Sequence, residues 1–261
     1  MKGMFLGSLV LLVAGTSMGL DLAGQDVAVT VDATWVSKYI WRGFDVLDDS
    51  AAWQPSVDFA LENGFGANLW MSYANGGGNT ETGASRTDLN EYDYTLYYSN
   101  SIYEDVWQTD YTVGWVYYDY ISQPSEASDM QEGFLSLSWP NLVGNGFVPH
   151  YNYYHMWASE ENSGVGSASG CIHVLGFTYD WTCDQMPDMP LSLMWDIVYN
   201  CNAGGATDSD WSHMVWGVST SFDCPYTGGS ITPALYYQNS FERSVNEDDE
   251  LWCGISYSYS F

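Results

Sequence analysis

The sequence predicts an all-β protein, an antiparallel transmembrane β-barrel of about 12 strands. Segments of roughly ten residues with alternating apolar and polar side chains recur along the chain, as in strands that face lipid on one side and water on the other. The connections between these segments alternate between shorter and longer ones. The chain also begins with a segment that is typical of exported proteins.

The composition supports this fold and excludes some partners. The 261 residues include 21 Tyr, 13 Trp and 10 Phe, which favour strands and membrane interfaces. Acids outnumber bases by 33 to 5, giving a net charge of −28. Nucleic acids and anionic membrane surfaces would be repelled by this charge, so we expect no nucleic-acid partner.

Residues 1–24 form the predicted signal peptide. Lys2 precedes an apolar stretch that ends in small residues, and cleavage after Gly19 or after Gly24 fits equally well. No later segment has an uninterrupted apolar run long enough for a transmembrane helix. We therefore expect an exported chain in which one barrel domain covers residues 25–261.

The first predicted strand shows the alternation well. Val27 and Trp35 share an apolar face that continues through Tyr39 and Trp41, whereas Asp32 lies on the opposite, polar face. The same pattern predicts strands near 26–41, 53–62, 64–74, 89–99, 105–118, 131–139, 146–157, 171–181, 190–201, 211–222, 230–239 and 250–261.

The connections supply an independent indication. Short periplasmic turns and long outer loops are typical of outer-membrane barrels, and an even strand number returns the last strand to the first so that the sheet can close. The predicted turns are 63, 100–104, 140–145, 182–189 and 223–229, and the predicted outer loops are 42–52, 75–88, 119–130, 158–170, 202–210 and 240–249.

The last strand ends in alternating serines and aromatics. Tyr257, Tyr259 and Phe261 are predicted to face lipid at the periplasmic interface, with the serines from Ser256 to Ser260 in the lumen. This ending resembles the C-terminal signal through which the assembly machinery captures bacterial outer-membrane barrels. The alternative is an ordinary last strand of a soluble β-sandwich.

Residues 37–43 read SKYIWRG, residues 53–57 read WQPSV and residues 64–70 read GFGANLW. Over about the first three strands the chain resembles a family of bacterial outer-membrane proteins labelled Gcw_chp or TorF-like, whose first hairpins carry similar patterns. The resemblance implies an outer-membrane barrel that acts as a channel, and it implies no particular substrate.

The predicted lumen contains most of the candidate functional residues. Lys38 and Arg42 lie near the outer end of the first strand, on its polar face. They could form a charged constriction with lumen acids, or they could neutralise those acids and tie the walls together. We favour the second interpretation, with which the first is compatible. The lumen acids are Asp32, Asp58, Asp93, Asp110, Glu132, Asp180 and Asp196.

Metal and cofactor sites are not expected. The acidic outer loops could hold Ca²⁺ or Mg²⁺ loosely, but residues 246–250 lack the Gly and the spacing of a calcium loop, and a solvated, salt-adapted surface fits better. If the turn near 186 is symmetric, Cys171 and Cys201 lie opposite each other and could form a disulfide. Similar arithmetic pairs His155 with His173, which we assign to the aromatic girdle rather than to a metal.

The function predicted from the sequence is passive passage of small hydrophilic solutes, preferably cations, across the bacterial outer membrane. The expected partners are outer-membrane lipid and lipopolysaccharide, the barrel-assembly machinery, and the solutes or cations themselves. A non-conducting structural or adhesive barrel is the first alternative. A membrane-embedded hydrolase is the second and weaker one, because catalytic motifs are absent from the sequence and Ser212–His213 is its only adjacent Ser–His pair. We therefore expect no enzyme activity.

Overall fold

The computed structural model describes residues 20–22, 25–81, 83–160, 166–183 and 186–261. Most of the predicted signal peptide, including both of its candidate cleavage sites, lies outside these residues. The described chain forms a closed antiparallel barrel of 12 strands, as predicted. We number them β1 to β12: Gln25–Val36, Ala52–Leu61, Phe65–Ala74, Glu91–Ile102, Thr109–Asp119, Met130–Ser138, Phe147–Ala158, Gly170–Cys183, Met186–Cys201, Ser209–Thr220, Ser230–Ser240 and Glu250–Ser260.

Shorter elements decorate this barrel. Leu20–Leu22 pairs with the start of β1, and Phe222–Asp223 pairs with β11. Within the described residues, no helix is both long enough and apolar enough to cross a membrane. The short helices are Arg86–Leu89, Asp105–Trp107, Ser125–Ser128, Gly166–Ala168 and Ala203–Gly205.

The sheet closes between its first and last strands. Ser258 of β12 lies opposite Asp32 of β1, and β1 pairs on its other side with β2. Just beyond the ladder, the Phe261 amide donates to the Val29 carbonyl at 2.9 Å, and the Val29 amide donates to the Phe261 carbonyl at 3.0 Å. Each barrel strand therefore has a partner on both sides, which is the arrangement that lipid requires of a spanning sheet.

The two faces of the wall differ in chemistry. Large apolar side chains are exposed on the exterior, with Leu96 58%, Trp216 50% and Leu251 60% accessible. The interior carries the polar rungs, where Thr30 lies opposite Asp58 and Asp58 lies opposite Asn68. The inside combines these polar rungs with a buried apolar cluster, whereas the apolar exterior is the reverse of a soluble barrel and matches a membrane-spanning one.

The connections differ at the two ends of the barrel. At one end, the short-turn end, residues 62–64, 103–108, 139–146, 184–185 and 221–229 join the strands. At the other end, the long-loop end, the connections are 37–51, 75–90, 120–129, 159–169, 202–208 and 241–249.

The first loop, residues 37–51, differs from the prediction, and we call it the inner loop. β1 ends at Val36 rather than near residue 41, and the chain turns into a hairpin of Ile40–Trp41 against Phe44–Asp45. Gly43 has φ 101°, and a Cβ there would lie 2.6 Å from the His213 ring, so the tight turn requires glycine.

The aromatic and apolar side chains around the bend of the inner loop point inwards. Tyr39 and Ile40 are only 1% and 3% exposed, and Trp41 packs edge-on against Tyr118 with ring centroids 6.0 Å apart. The alternation of the first strand thus continues past the bend, but Tyr39 and Trp41 are buried and do not face lipid. The prediction that they share the lipid-facing side was wrong.

Candidate pore interior

The inner loop is attached to the barrel by most of the bases in the chain. Of the five Lys and Arg residues, two belong to the loop and a third, Arg86, contacts it from the neighbouring loop. The Arg86 Nε donates to the Leu47 carbonyl at 2.8 Å, and its Nη2 donates to the Asp48 carbonyl at 3.1 Å. The scarce positive charge is therefore concentrated on one segment.

Arg42 makes the most buried ionic contact. Its Nη1 and Nη2 bind the two carboxylate oxygens of Glu132 on β6, with Nη2–Oε1 at 2.8 Å. The guanidinium carbon lies 3.6 Å from the ring centroid of Tyr154 and 4.8 Å from that of Trp41. The Arg42 and Glu132 side chains are 9% and 1% exposed, so this two-pronged pair is desolvated and crosses from the loop to the wall.

Two further carboxyl groups lie beside this pair. The Tyr39 hydroxyl donates to Glu91 Oε2 at 2.9 Å, and Asp93 interacts with Glu91, Glu132 and Arg42. Asp93 Oδ1 is buried without a hydrogen-bond partner among the described residues. One guanidinium group therefore lies among three acids, so carboxyl groups outnumber bases in this part of the lumen.

Lys38 fixes the start of the inner loop. Its Nζ contacts Asp49 in the same loop and lies 2.7 Å from Oε2 of Glu250 at the start of β12. Burial alone would lower the pKa of Lys38, but the hydrogen bonds and charges of Asp49 and Glu250 outweigh it and raise the pKa. The ammonium group therefore stays charged at neutral pH.

Neutral groups complete the attachment. The Gly43 carbonyl at the tip of the inner loop accepts hydrogen bonds from Gln238 Nε2 at 2.8 Å and from Asn246 Nδ2 at 3.2 Å. Gln238 lies on β11, opposite Glu250 of β12. The loop is thus bonded to several separate parts of the wall.

A cavity of about 100 Å³, lined by both polar and apolar side chains, lies next to the loop tip. On its wall, His150 Nε2 and Asp196 Oδ1 are 2.8 Å apart. The aromatic rings of Tyr236 and Trp252, which also line the cavity, stack with centroids 5.2 Å apart. Other lining residues include Arg42, Asn152, Thr178, His213 and Gln238.

Strand register places all seven acids of the predicted lumen on the interior face, but it does not gather them into one constriction. Glu132 and Asp93 lie near Arg42, whereas Lys38 contacts Glu250 and Asp49 instead. Both bases lie on the inner loop and not on the strand, so the predicted pair of neighbouring bases is split. The remaining acids bind local partners: Asp32 to Thr34, Asp58 to Tyr97 and Asn68, Asp110 to Ser101 and Gln108, and Asp196 to His150, while Asp180 is exposed near the short-turn end.

Three members of the interior were missed. Glu91 lies two residues before Asp93 on the same face of β4, so the period of two could have identified it. Glu250 was counted with the acids of the last outer loop, although it is the first residue of the last strand and is 5% exposed. Tyr39 was missed because nothing in the local pattern signals that the chain bends inwards.

The remaining predicted sites lie on the exterior face. Register puts Tyr257 and Tyr259 there, opposite Ala33 and Val31, and Phe261 bonds with Val29 on the same side. Their role as an assembly signal stays a prediction. Cys171 and Cys201 lie one rung beyond the Ile172–Asn200 pair, and both carry free thiols. The disulfide therefore also stays a prediction.

The prediction for the histidines was wrong by two residues. His173 lies opposite Tyr153, and His155 lies opposite Cys171. The loop between the two strands contains a helical turn at Gly166–Ala168, so its centre could not be located from its length.

Comparison with solved structures agrees with the barrel. The chain is similar to the KdgM porin, with a TM-score of 0.53 and 10% identity, over 89% of this chain and 99% of that one. The fold is a porin-type barrel. Lower scores relate it to OprD from Pseudomonas aeruginosa (TM-score 0.41, 9% identity, 91% of this chain and 67% of that one) and to OccK10 (OpdN) from the same organism (0.44, 10%, 92% and 70%).

No family model and no curated protein matches the chain. The resemblance of the first hairpins to the Gcw_chp or TorF-like family is therefore not confirmed.

Proposed function

We propose that this protein is a narrow channel of the bacterial outer membrane for passive passage of small hydrophilic solutes, with a preference for cations. The observation that carries the proposal is a cavity inside a closed barrel, with Arg42, His150 and Asp196 on its wall among apolar side chains, next to a loop that folds into the lumen. A barrel of about 12 strands is intermediate between small filled barrels and wide porins, so one inward loop suffices to set the narrowest point.

The preference for cations follows from the charges around the inner loop. Asp49 and Glu250 share one ammonium group, that of Lys38, and Asp45 lies beside them. Carboxylates in a constriction with low-dielectric walls raise the local concentration of cations and repel anions. The acidic outer loops act in the same direction at low salt.

The test is single-channel recording of the refolded protein in a planar bilayer, with the reversal potential measured under a KCl gradient. We expect steady openings and a reversal potential whose sign shows that K⁺ permeates more easily than Cl⁻. Arg42→Ala removes the loop-to-wall pair and should increase both conductance and cation preference. Arg243→Ala is the matched control, because it removes an exposed outer-loop base of the same kind and should leave both quantities unchanged.

The proposal fails if heat-modifiable, correctly folded barrels are silent in the wild type and in Arg42→Ala. Wild-type silence with conduction by Arg42→Ala would instead identify a channel that the inner loop closes. Anion preference in both proteins would contradict the predicted cation preference but not the proposal that the protein is a channel.

One observation favours a second candidate, a non-conducting structural or adhesive barrel. Tyr97, Tyr118, Phe134, Tyr154 and Met156 form part of a buried cluster on the interior face, and Trp41 of the inner loop packs against it. Bulky side chains of this kind can fill a small barrel. Such a barrel would be silent in both recordings and would also exclude sugars in a liposome-swelling assay.

We propose no enzymatic role. A hydrolase would need an accessible nucleophile, but Ser212 and His213 are 0% and 1% exposed. The Ser212 hydroxyl lies 2.9 Å from His213 Nδ1 and 3.2 Å from the Val198 carbonyl, which it can bond as a structural group. Absence of phospholipid and ester hydrolysis by the folded barrel is the expected result.

A further inference from the structure

Three soft or borderline metal ligands meet on the exterior of the barrel, near the long-loop end. Cys171 and His173 lie two residues apart on the same face of β8, and Cys201 lies across from Cys171 at the end of β9. The two sulfurs and a ring nitrogen of His173 all lie within 4.8 Å of one another. Cys171 Sγ is 3.6 Å from His173 Nε2.

These distances fit one metal ion. Zinc bound tetrahedrally at about 2.3 Å from sulfur and about 2.0 Å from nitrogen holds its ligand atoms roughly 3.5–4 Å apart. The Cys171–His173 separation already has this value, and small rotations of the side chains bring Cys201 Sγ to it as well. Thiolates and imidazole together select Zn²⁺ or Cu(I) over Mg²⁺ or Ca²⁺.

The surroundings hold the imidazole in the orientation that a metal needs. His173 Nδ1 lies 2.8 Å from the Tyr151 hydroxyl, so a proton on Nδ1 can be donated to that oxygen while the Nε2 lone pair points towards Cys171. The Tyr153 ring packs on the imidazole with centroids 5.1 Å apart, and the Tyr199 ring is at 6.4 Å. The hydrogen bond is compatible with the tautomer that leaves Nε2 free for a metal, and the rings hold the imidazole plane.

A fourth ligand is within reach. His155 of β7 lies opposite Cys171, on the side away from Cys201, and its ring packs against Trp157 with centroids 5.8 Å apart. Side chains opposite each other in an antiparallel pair have Cβ atoms about 5 Å apart, so a change of rotamer brings the imidazole to the site. Without it, the fourth position is open to water, as in three-ligand zinc sites.

We propose that Cys171, His173 and Cys201 bind a soft transition-metal ion, with Zn²⁺ as the reference ion, when both thiols are reduced. The alternative chemistry of the same residues is a Cys171–Cys201 disulfide, and the two states exclude each other. The sequence predicts that Cys171 and Cys201 lie opposite each other, but it does not join His173 to them, because the ligands come from two strands related only by register and do not have the close spacing of a zinc motif.

The experiment uses the full-length barrel, folded in detergent under reducing conditions and checked by heat-modifiability. After incubation with Zn²⁺ and dialysis, we expect about one zinc per chain by elemental analysis. Co²⁺ should give the visible absorption of a tetrahedral thiolate complex, and Zn²⁺ should abolish it. Cys171→Ser and Cys201→Ser should lose the spectrum, and His173→Ala should weaken binding at least tenfold.

Cys253→Ala is the matched control, because it removes an exposed thiol elsewhere on the exterior and should leave binding intact. His155→Ala tests the fourth ligand through a change in the cobalt spectrum. Failure of the reduced wild type to retain zinc, or equal retention by folded Cys171→Ser, would overturn the proposal.

Discussion

At the residue scale, the interior depends on a few charged side chains whose partners are buried with them. Glu132 is 1% exposed and has both of its oxygens bound to Arg42. A carboxylate in this position is tolerated because the guanidinium compensates it, so removing either partner is much more damaging than removing both.

We predict that Arg42→Ala lowers the free energy of unfolding by about 3–5 kcal/mol, because Glu132 is left buried and uncompensated. Equilibrium unfolding in guanidinium chloride, carried out in detergent micelles, measures this free energy. Arg243→Ala, at an exposed position, should change the same quantity by less than about 0.5 kcal/mol. The double variant Arg42→Met with Glu132→Leu should regain most of the loss. Equal instability of the double and single variants would contradict the argument.

We predict that Gly43→Ala displaces the inner loop. A Cβ on Gly43 would lie 2.6 Å from the His213 ring and 2.7 Å from a Val245 methyl carbon, so the loop tip must move away from the wall. Single-channel conductance should rise, and the loop should become sensitive to protease.

Gly76→Ala separates steric clash from backbone strain. Gly76 also has a positive φ, 120°, but nothing lies within 4 Å of its Cβ position. Its substitution should cost only backbone strain of about 1–3 kcal/mol and leave the conductance unchanged. An equal effect of both substitutions would show that the contact with His213 is irrelevant.

At the element scale, the inner loop shows what the sequence could and could not predict. The strands follow from alternation, because one face of each meets lipid and the other meets the lumen. Tyr39 and Trp41 continue that alternation, so the pattern alone extends β1 past its end. The inward bend is determined by partners distant in sequence, such as Glu91, Glu132 and Gln238, and a local pattern does not contain them.

The cysteines and histidines make the same point about register. The ladder between the Ile172–Asn200 pair and the Trp181–Leu191 pair is centred on residue 186, so the arithmetic placed Cys171 opposite Cys201, although the register shifts between Trp181 and Cys183. The longer connection 159–169 has internal structure, and the same arithmetic failed for His155 and His173. Register can be calculated only where the centre of the two strands is known, and the length of a connection does not give that centre when a bulge or a helical turn intervenes.

We predict that acidification favours the inward position of the inner loop through Asp45. Burial raises the pKa of Asp45 above its ordinary value of 3.8, and nearby Glu250 and Asp49 raise it further, against an opposing hydrogen bond from the Asp49 amide. The inward state therefore binds the proton more tightly than a released loop. Its stability should increase as pH falls through the raised pKa towards 3.8 and stay constant below that value.

The measurement is the mean single-channel conductance in bilayer recordings between pH 7 and about pH 4, which should decrease as the pH is lowered. Asp45→Asn resembles the protonated form, so it should lower the mean conductance at pH 7 and flatten the pH profile. Asp208→Asn, an exposed acid of another loop, is the control and should retain the wild-type profile. An unchanged profile in Asp45→Asn would exclude this residue as the source.

At the scale of the whole molecule, charge is distributed unevenly. The net charge is −28, and three of the five bases attach the inner loop, so the outer loops and much of the lumen remain acidic. This field acts at long range on ions in solution, whereas the pair of Arg42 and Glu132 acts only at contact.

We predict that cation preference weakens as salt rises. The Debye length falls from about 10 Å at 0.1 M to about 3 Å at 1 M, which screens the loop acids but not the desolvated interior. The K⁺ to Cl⁻ permeability ratio should therefore decrease between these two salt concentrations and level off at a value above unity. A ratio independent of salt would assign the selectivity to the interior alone, and a ratio that falls to unity would assign it to the loops.

The closing seam between β1 and β12 has a consequence for how the chain folds. Thr30 and Ser260 bond across it at 2.9 Å although 230 positions separate them in the sequence. Loop closure of this length is entropically unfavourable until the ten intervening strands are in place, so the seam forms late and makes folding slow. Weakening it should therefore speed unfolding much more than it slows folding, because its contacts are absent from the transition state.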